Sequence, residues 1–553
     1  MLRRTVVSAL GCGLMLGGLS THSASAFAEP WSDPDPRAGQ ERTEFGDYGF
    51  KLGAEYRTVG IYMNPIDLSG VKSRRASWAE HRARLDAAVD YREKVRFVLS
   101  MDVLDGTLWG DNGTFGGDPS PQSGTTVAAG IPNSARVGIG FRGGEDELDP
   151  DNYGYVLQSN DLALVRHAYG ELNLPFGLVR IGRQPTTDGM NVLVSSGRTM
   201  ANRFGYENRG DTIDRVLFAT KPFEGFKPEQ QRDRSQDRGF FLITLYDRVV
   251  GKEPHLFADD MHGVGVVARY LAPEPSKRRG FEIQGNYNHR WSGTYDTNVN
   301  IFGARAIAQL DKLTAGFEGN WLTGRTLEIS EALALINTDP VVRQRINQWG
   351  ARGVVRWDEP TWAAYLEVDY ASGDRDPNPG SDLTQLVFAE DTNVGLLMFK
   401  RILHFESARS AAVGVELLKR LGASTFPAER TDSEGSFTNA LALFPQFDFK
   451  PKDNLLFRGG VLMAWAPGGL VDPIQSLRFR DGVEVEDDLV NFHGGPPGNF
   501  YGVELDGRFQ WRFEDHFYFD LEGAILFPGD ALQDENGQAA RSVLVQGRTT
   551  FLF

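Results

Sequence analysis

The last thirteen residues, Arg541 to Phe553, constrain the fold more than any other stretch of the chain. Val543, Val545, Gly547, Thr549, Phe551 and Phe553 fall on one face of a strand, and Ser542, Leu544, Gln546, Arg548, Thr550 and Leu552 on the other. One face is apolar or small, the other mostly polar, and the strand runs to the final residue. A closing strand of about ten residues that ends on phenylalanine is the pattern of a bacterial transmembrane β-barrel. An edge strand of a soluble sheet is the plainer reading of this stretch alone, and the rest of the chain weighs against it.

Read as soluble, 553 residues imply about three or four domains, yet no linker composition separates them. Alternating strands run instead from residue 47 to the end, and past the N-terminus no apolar run reaches the roughly eighteen residues of a membrane helix. The mean hydropathy is that of a soluble protein. A barrel reconciles it with a membrane, because only alternate residues meet lipid. At the N-terminus, Arg3 and Arg4 precede an apolar run from Thr5 to Leu19 and the small-residue site Ala24-Ser25-Ala26. That is the layout of a secretory signal, expected over residues 1–28 and cleaved after Ala26 or Ala28. The single cysteine, Cys12, leaves with it, so the mature chain relies on neither disulfides nor thiol chemistry. Residues 29–46, rich in Pro, Asp and Glu, form a periplasmic lead-in, and 47–553 form the barrel. A net charge of −16 argues against nucleic acid as a partner. Acid runs such as Glu145-Asp146-Glu147 and Glu486-Asp487-Asp488 fit solvated outer loops near lipopolysaccharide and its divalent cations.

Tight turns set the register. Arg92-Glu93-Lys94 separates a strand bearing Ala83, Leu85, Ala87, Val89 and Tyr91 from one bearing Val95, Phe97, Leu99, Met101 and Val103. Their opposite faces carry Arg82, Arg84 and Asp86, then Arg96, Ser100 and Asp102. The same pattern recurs around Leu174-Pro175-Phe176, Asp311-Lys312, Asp358-Glu359-Pro360, Pro451-Lys452-Asp453 and Glu514-Asp515. With both termini in the periplasm the strand number is even, about eighteen, with sixteen and twenty as neighbours. Long outer loops are expected at 110–160, 185–210, 325–346, 372–437 and 466–498. Within the 372–437 loop, Val394 to Leu421 fits a loop helix, a plug folded into the lumen, or an extra hairpin.

The polar strand faces bring charge of both signs to the lumen. Candidate pore-lining or solute-contacting residues are Arg82, Arg84, Arg96, Arg352, Arg356, Glu367, Asp369, Arg508, Arg512 and Arg548. The rival reading of each is a wall of mutually neutralising ion pairs. Asp374, Asp376, Asn378 and Asp382 recur at the odd spacing of a calcium loop, although Pro379 and Gln385 stand where such a loop has glycine and a bidentate glutamate. A calcium ion is thus the candidate cofactor, against an ordinary Asp/Pro/Gly turn. His167, His289, His404 and His493 stand in no hydrolase motif, so no enzyme is expected.

Three stretches resemble the alginate-export family and the single-chain porin-like outer-membrane proteins around it. They are Gly182-Arg183-Gln184 with Asn202, Asn208 and Asp214; Tyr370-Ala371-Ser372-Gly373-Asp374; and Phe527-Pro528-Gly529-Asp530. The resemblance implies an eighteen-stranded barrel with an arginine-lined constriction that passes an anionic polysaccharide outward. The chain departs from the pattern in the carboxylates beside its arginines and in the loop after Asp374. Phe553 resembles the terminal signal read by the barrel-assembly machinery. The function expected is passive passage of a hydrophilic, anionic or saccharide solute, polysaccharide export included. The alternative is a plugged barrel acting as adhesin or scaffold.

Overall fold

The computed structural model describes residues 42–68, 75–110, 164–186, 189–195, 197–207, 210–249, 261–274, 278–293, 295–389, 391–423, 428, 431–479 and 489–553. The expected signal peptide, the lead-in as far as residue 41, most of the 110–160 loop and both acid runs lie outside those residues.

Strand β14, Trp362–Ala371, shows how sequence becomes barrel. Trp362, Leu366, Val368 and Tyr370 face outward and are exposed, while Tyr365, Glu367 and Asp369 face inward and are buried. A water-soluble sheet would bury the first set and solvate the second, so the inversion identifies a wall between lipid and a polar interior. Among the described side chains the same alternation runs through β2 (Tyr48–Asn64), β3 (Ala76–Tyr91), β4 (Val95–Gly110), β5 (Leu164–Leu174), β6 (Gly177–Pro185), β7 (Thr212–Thr220), β8 (Gly239–Val249), β9 (His262–Glu274), β10 (Arg279–Ser292), β11 (Thr297–Leu310), β12 (Leu313–Thr326), β13 (Gln344–Asp358), β15 (Ala440–Lys452), β16 (Leu455–Trp465), β17 (Phe500–Phe513), β18 (Phe517–Pro528) and β19 (Ser542–Leu552). Each pairs antiparallel with the next, and β19 returns to β2 in the register Gly547↔Gly60. Of nineteen strands in the sheet, β1 (Thr43–Phe45) is a three-residue edge folded back on β2, and the other eighteen close the ring. Phe553 completes the seam, exchanging backbone hydrogen bonds of 2.9 Å with Ala54 in both directions.

Turns at the end bearing Tyr48 and Phe553, the terminal end, are short. Arg92 and Glu93 both hold positive φ, 48° and 56°, the twist that a tight antiparallel connection requires. Asp311 and Glu514 adopt the same region. Residues 221–238 are the exception, a longer link with two 3-10 turns. Aromatic rings girdle both rims, as in Trp511–Phe517 and Phe517–Phe551 at the terminal end and Phe302–Trp321 and Trp321–Trp349 toward the other. A closed eighteen-strand barrel with this apolar, aromatic-rimmed outer surface is a bacterial outer-membrane barrel.

The other end, the loop end, is filled. Helices α1 (Glu328–Asn337), α2 (His404–Arg420, entered through a π-turn at Met398–Leu403) and α3 (Pro473–Phe479) lie in the loop segments. Phe399, Ile402, Phe405 and Leu418 of the α2 segment, Val192 and Phe204 of the segment after β6, and Ile474 of α3 form one apolar core with Val59, Ile61, Met63 and Trp78 of the β2 and β3 walls. Of the three alternatives for Val394 to Leu421, the chain adopts a helix packed inside the barrel mouth, without an extra hairpin. The segment expected as an outer loop at 185–210 likewise turns inward over residues 189–207, for a reason visible in its backbone contacts.

Candidate functional site

Inward parity places an arginine at mid-height on six strands, and each donates to a backbone carbonyl of the 190–207 segment. Arg57 reaches Glu207 O at 2.8 Å, Arg352 reaches Met190 O at 2.9 Å and Arg548 reaches Gly205 O at 2.6 Å. Arg84 donates to Gly197 O, while Arg458 and Arg508 converge on the carbonyl of Arg203. Most of these guanidinium groups also hold a wall carboxylate. Arg84 grips Asp102 at 2.6 and 2.9 Å, Arg352 grips Asp369 at 2.7 and 3.2 Å, and Arg458 grips Asp448 at 2.7 and 3.0 Å. The planar fork of arginine suits this bridging between an acid on one strand and a carbonyl across the lumen. Sequence reading had no basis for it, because an unpaired loop carbonyl leaves no mark in the residue pattern.

Carboxylates of the wall answer with the opposite polarity. Glu504 on β17 accepts the amides of Leu396, Leu397 and Met398 at 2.7, 2.8 and 2.6 Å, capping the π-turn that leads into α2. Glu522 accepts Gly205 N at 2.9 Å, and Glu318 accepts Met190 N. Arg203, a loop residue, reaches back to Asp448 and Gln446, each at 2.7 Å. The two infolded segments join through Asn202, which donates to Asp391 O at 2.6 Å.

The candidate residues therefore divide. Arg82, Arg84, Arg352, Arg508, Arg548, Glu367 and Asp369 are buried, with Arg82 on Glu55 and Thr199, and Arg508 and Arg548 sharing Asp520. Arg352 also lies 3.0 Å from Glu367. Arg96, Arg356 and Arg512 are only half-buried and stand apart toward the terminal end, with Arg356 2.8 Å from Asp358 and Arg96 3.7 Å from Glu171. Arg57, Arg203 and Arg458 were not singled out from the sequence. The inward parity of their strands could have found Arg57 and Arg458, whereas Arg203 has no such signal.

The wall from β7 to β12 has a different surface. Gln284, Asn286 and Asn288 follow one another on the inner face of β10, with Gln309 on β11 and Asn320 on β12. Inward glycines flank them: a Cβ at Gly265 would collide with Asn288, and one at Gly303 with Asn286 and Asn320. The amides thus lie flat against a wall thinned by glycine. Asn286, Asn288, Gln309, Arg290 and Arg215 remain half-exposed, and Arg215 is held by Asp247 at 2.6 and 2.8 Å.

Among the calcium candidates, Asp374 accepts the amides of Asp376 and Thr384 at 3.1 Å each, Asp376 accepts Asn378 N and Asn378 accepts Gly380 N, both at 3.0 Å. Their oxygens are spent on their own backbone, as in Asx turns, and do not converge with Asp382 on a common point among the described residues. The motif residues serve the fold: Gly182 holds φ 125°, Arg183 pairs with Asp214 at 3.0 Å, and Asp530 accepts Phe500 N at 2.7 Å. His289 bonds Asn300 on the outer face at 3.0 Å. His404 and His493 are buried in the loop-end core, where burial, and then Arg409, pull the His493 imidazole down to about 4.

No family model matches the chain, and no curated protein matches it. The resemblance to alginate exporters therefore rests on its three short motifs. Among solved structures the chain is similar to OccK2 (OpdF) of Pseudomonas aeruginosa in complex with glucuronate, at 8% identity over 91% of this chain and 98% of that chain, TM-score 0.43. It is similar to OpdK of Pseudomonas aeruginosa with vanillate at 10% identity over 91% and 98%, TM-score 0.44. A BenF-like porin from Pseudomonas fluorescens Pf-5 follows at 10% identity over 91% and 99%, TM-score 0.42. Likeness at this level carries neither substrate nor mechanism across, and the barrel stands on its own strand pairing.

Proposed function

We propose that this protein is a narrow, passive outer-membrane channel for small hydrophilic anions, with the long segments at the outer face and the termini in the periplasm. The observation that carries the reading is the asymmetry of the lumen. From β13 round to β3 the inner wall is sealed against the infolded core at mid-height and toward the loop end, leaving half-exposed charges only toward the terminal end, whereas the β7–β12 wall keeps half-exposed amides and arginines over inward glycines. Half-exposed cations of the inner faces include Lys51, Arg96, Arg215, Arg290, Arg356 and Arg512, against Asp86, Asp90 and Asp358. Amides replace the hydration of a polar solute along the path, and the excess of cations favours an anion. The infolded core narrows the mouth, which favours a small solute over a polysaccharide strand. Arg96, Arg356 and Arg512 are the selectivity residues in this reading, and the buried arginines set the aperture by holding the 190–207 segment. The continuous apolar core across the loop end favours a second reading, a plugged barrel that conducts nothing.

Proteoliposome swelling separates the two. Glucuronate and vanillate serve as anionic probes, with glucosamine and lysine as cationic ones of similar size. Faster swelling with the anions than with the cations is the expected result. No swelling with any of the four favours the plugged barrel, and swelling led by the cations refutes the anion path.

A further inference from the structure

Three segments of the loop end meet at one cluster that the channel reading does not use. Asp67 follows β2, Glu406 lies in the first turn of α2, and His493 belongs to the segment before β17. One ligand-capable atom from each lies within 4.8 Å of the other two. The His493 side chain is 1% exposed, and neither ring nitrogen has a hydrogen-bond partner; its Nε2 points toward Glu406 Oε1 at 3.6 Å, beyond hydrogen-bond distance. A buried imidazole with both nitrogens unmet costs free energy and calls for an explanation.

The charge around it points the same way. Arg409 is the cation of the cluster, 2.7 Å from Glu406 and 3.7 Å from Asp67, and Asp472 also acts on it. Two carboxylates and an imidazole whose ligand atoms face one another this closely form a set that a divalent cation would bring together. One imidazole nitrogen with two carboxylates is a donor set for zinc or a similar first-row ion rather than for calcium, which takes six to eight oxygens. Donors in a zinc site stand about 2.0–2.2 Å from the metal, so three donors within 4.8 Å of one another need only a small inward movement to share it.

We propose that Asp67, Glu406 and His493 bind a divalent transition-metal ion of the zinc class, which ties the strand β2 exit, helix α2 and the 489–499 segment into one unit at the barrel mouth. With three protein donors the fourth position falls to water. The site is independent of whether the lumen conducts, since it clamps the infolded core in either case. The sequence hides it, because Asp67 lies hundreds of residues before Glu406 and His493 and the three match no metal motif.

The test is zinc titration of the refolded full-length barrel in detergent, read by competition with a chromophoric chelator, with cobalt substitution to record the ligand field. One equivalent of zinc is expected, with affinity reduced at least tenfold in His493→Ala and in Asp67→Asn, each variant keeping wild-type heat-modifiable migration. Zinc should also slow proteolysis of the 391–423 segment in the wild type and not in His493→Ala. Absence of saturable binding overturns the proposal. Equal affinity in the wild type and both variants overturns it as well, because the zinc would then sit elsewhere.

Discussion

Replacing Glu504 by alanine should release the infolded helix while leaving the barrel intact. The carboxylate is buried in the wall and accepts three amides of Leu396, Leu397 and Met398 at 2.6–2.8 Å. Stranding a buried amide costs ~1–3 kcal/mol, so three amount to ~3–9 kcal/mol. Part of that is offset, because the buried carboxylate and its desolvation cost disappear together. A net loss of about 3–5 kcal/mol in docking of residues 391–423 remains, or roughly two to four orders of magnitude in the docked population. The backbone ladder of β17 with β16 and β18 does not involve this side chain, so the folded barrel persists. The assays are limited proteolysis of 391–423 and single-channel conductance, with heat-modifiable migration as the control for the barrel. New cleavage and larger conductance are expected, and Glu504→Gln, which keeps one oxygen for the Leu396 and Leu397 amides, should fall between. Wild-type cleavage and conductance in Glu504→Ala would show that the helix is held by its apolar contacts alone.

Neutralising Arg96, Arg356 and Arg512 together to glutamine should move the reversal potential in a salt gradient toward cations, with a smaller shift at high ionic strength as screening grows; an unmoved potential removes them from the path. Val368→Arg, on the lipid face of β14, should lower barrel stability in urea by ~2–4 kcal/mol if the site lies near the bilayer midplane. Its inward neighbour Glu367 borders protein instead, so unchanged stability in Val368→Arg would mean the outer belt has been assigned to the wrong face. Deleting Phe553, which closes the seam onto Ala54 and stays 71% exposed, should cut surface assembly far more than deleting an exposed loop residue such as Asn536. Equal assembly of the two would count against a terminal signal.

What the sequence disclosed was whatever alternation records. The period of two on β10, β14, β17 and β19 reports which face meets lipid, because lipid tolerates no charge there, and the tight turns at Arg92-Glu93 and Asp311 report register. Parity gave an even strand number near eighteen, and the closed ring selects eighteen from sixteen, eighteen and twenty. The interior was legible only as composition: arginines were visible at 82, 84, 352, 508 and 548 and carboxylates at 367 and 369, but not that six wall arginines are engaged by carbonyls of a segment more than a hundred residues away. Those carbonyls belong to residues as unlike as Met190, Gly197 and Glu207, so no side-chain pattern marks them. The stretch 394–421 left a loop helix, a plug and an extra hairpin open, because the surface that buries it is assembled from Val59, Ile61, Phe204 and Ile474 only once the ring has closed. Asp374 to Asp382 stayed ambiguous between a calcium loop and a turn for the converse reason. Odd spacing of oxygens is shared by calcium loops and by Asx turns, and local amides compete for those oxygens first.

Single-channel recording of the wild-type barrel in a planar bilayer, under a chloride gradient, tests the central claim most directly. Small discrete openings with a reversal potential on the anion side are predicted, widening when residues 393–420 are removed. A silent wild-type barrel, or openings that prefer potassium, would contradict it.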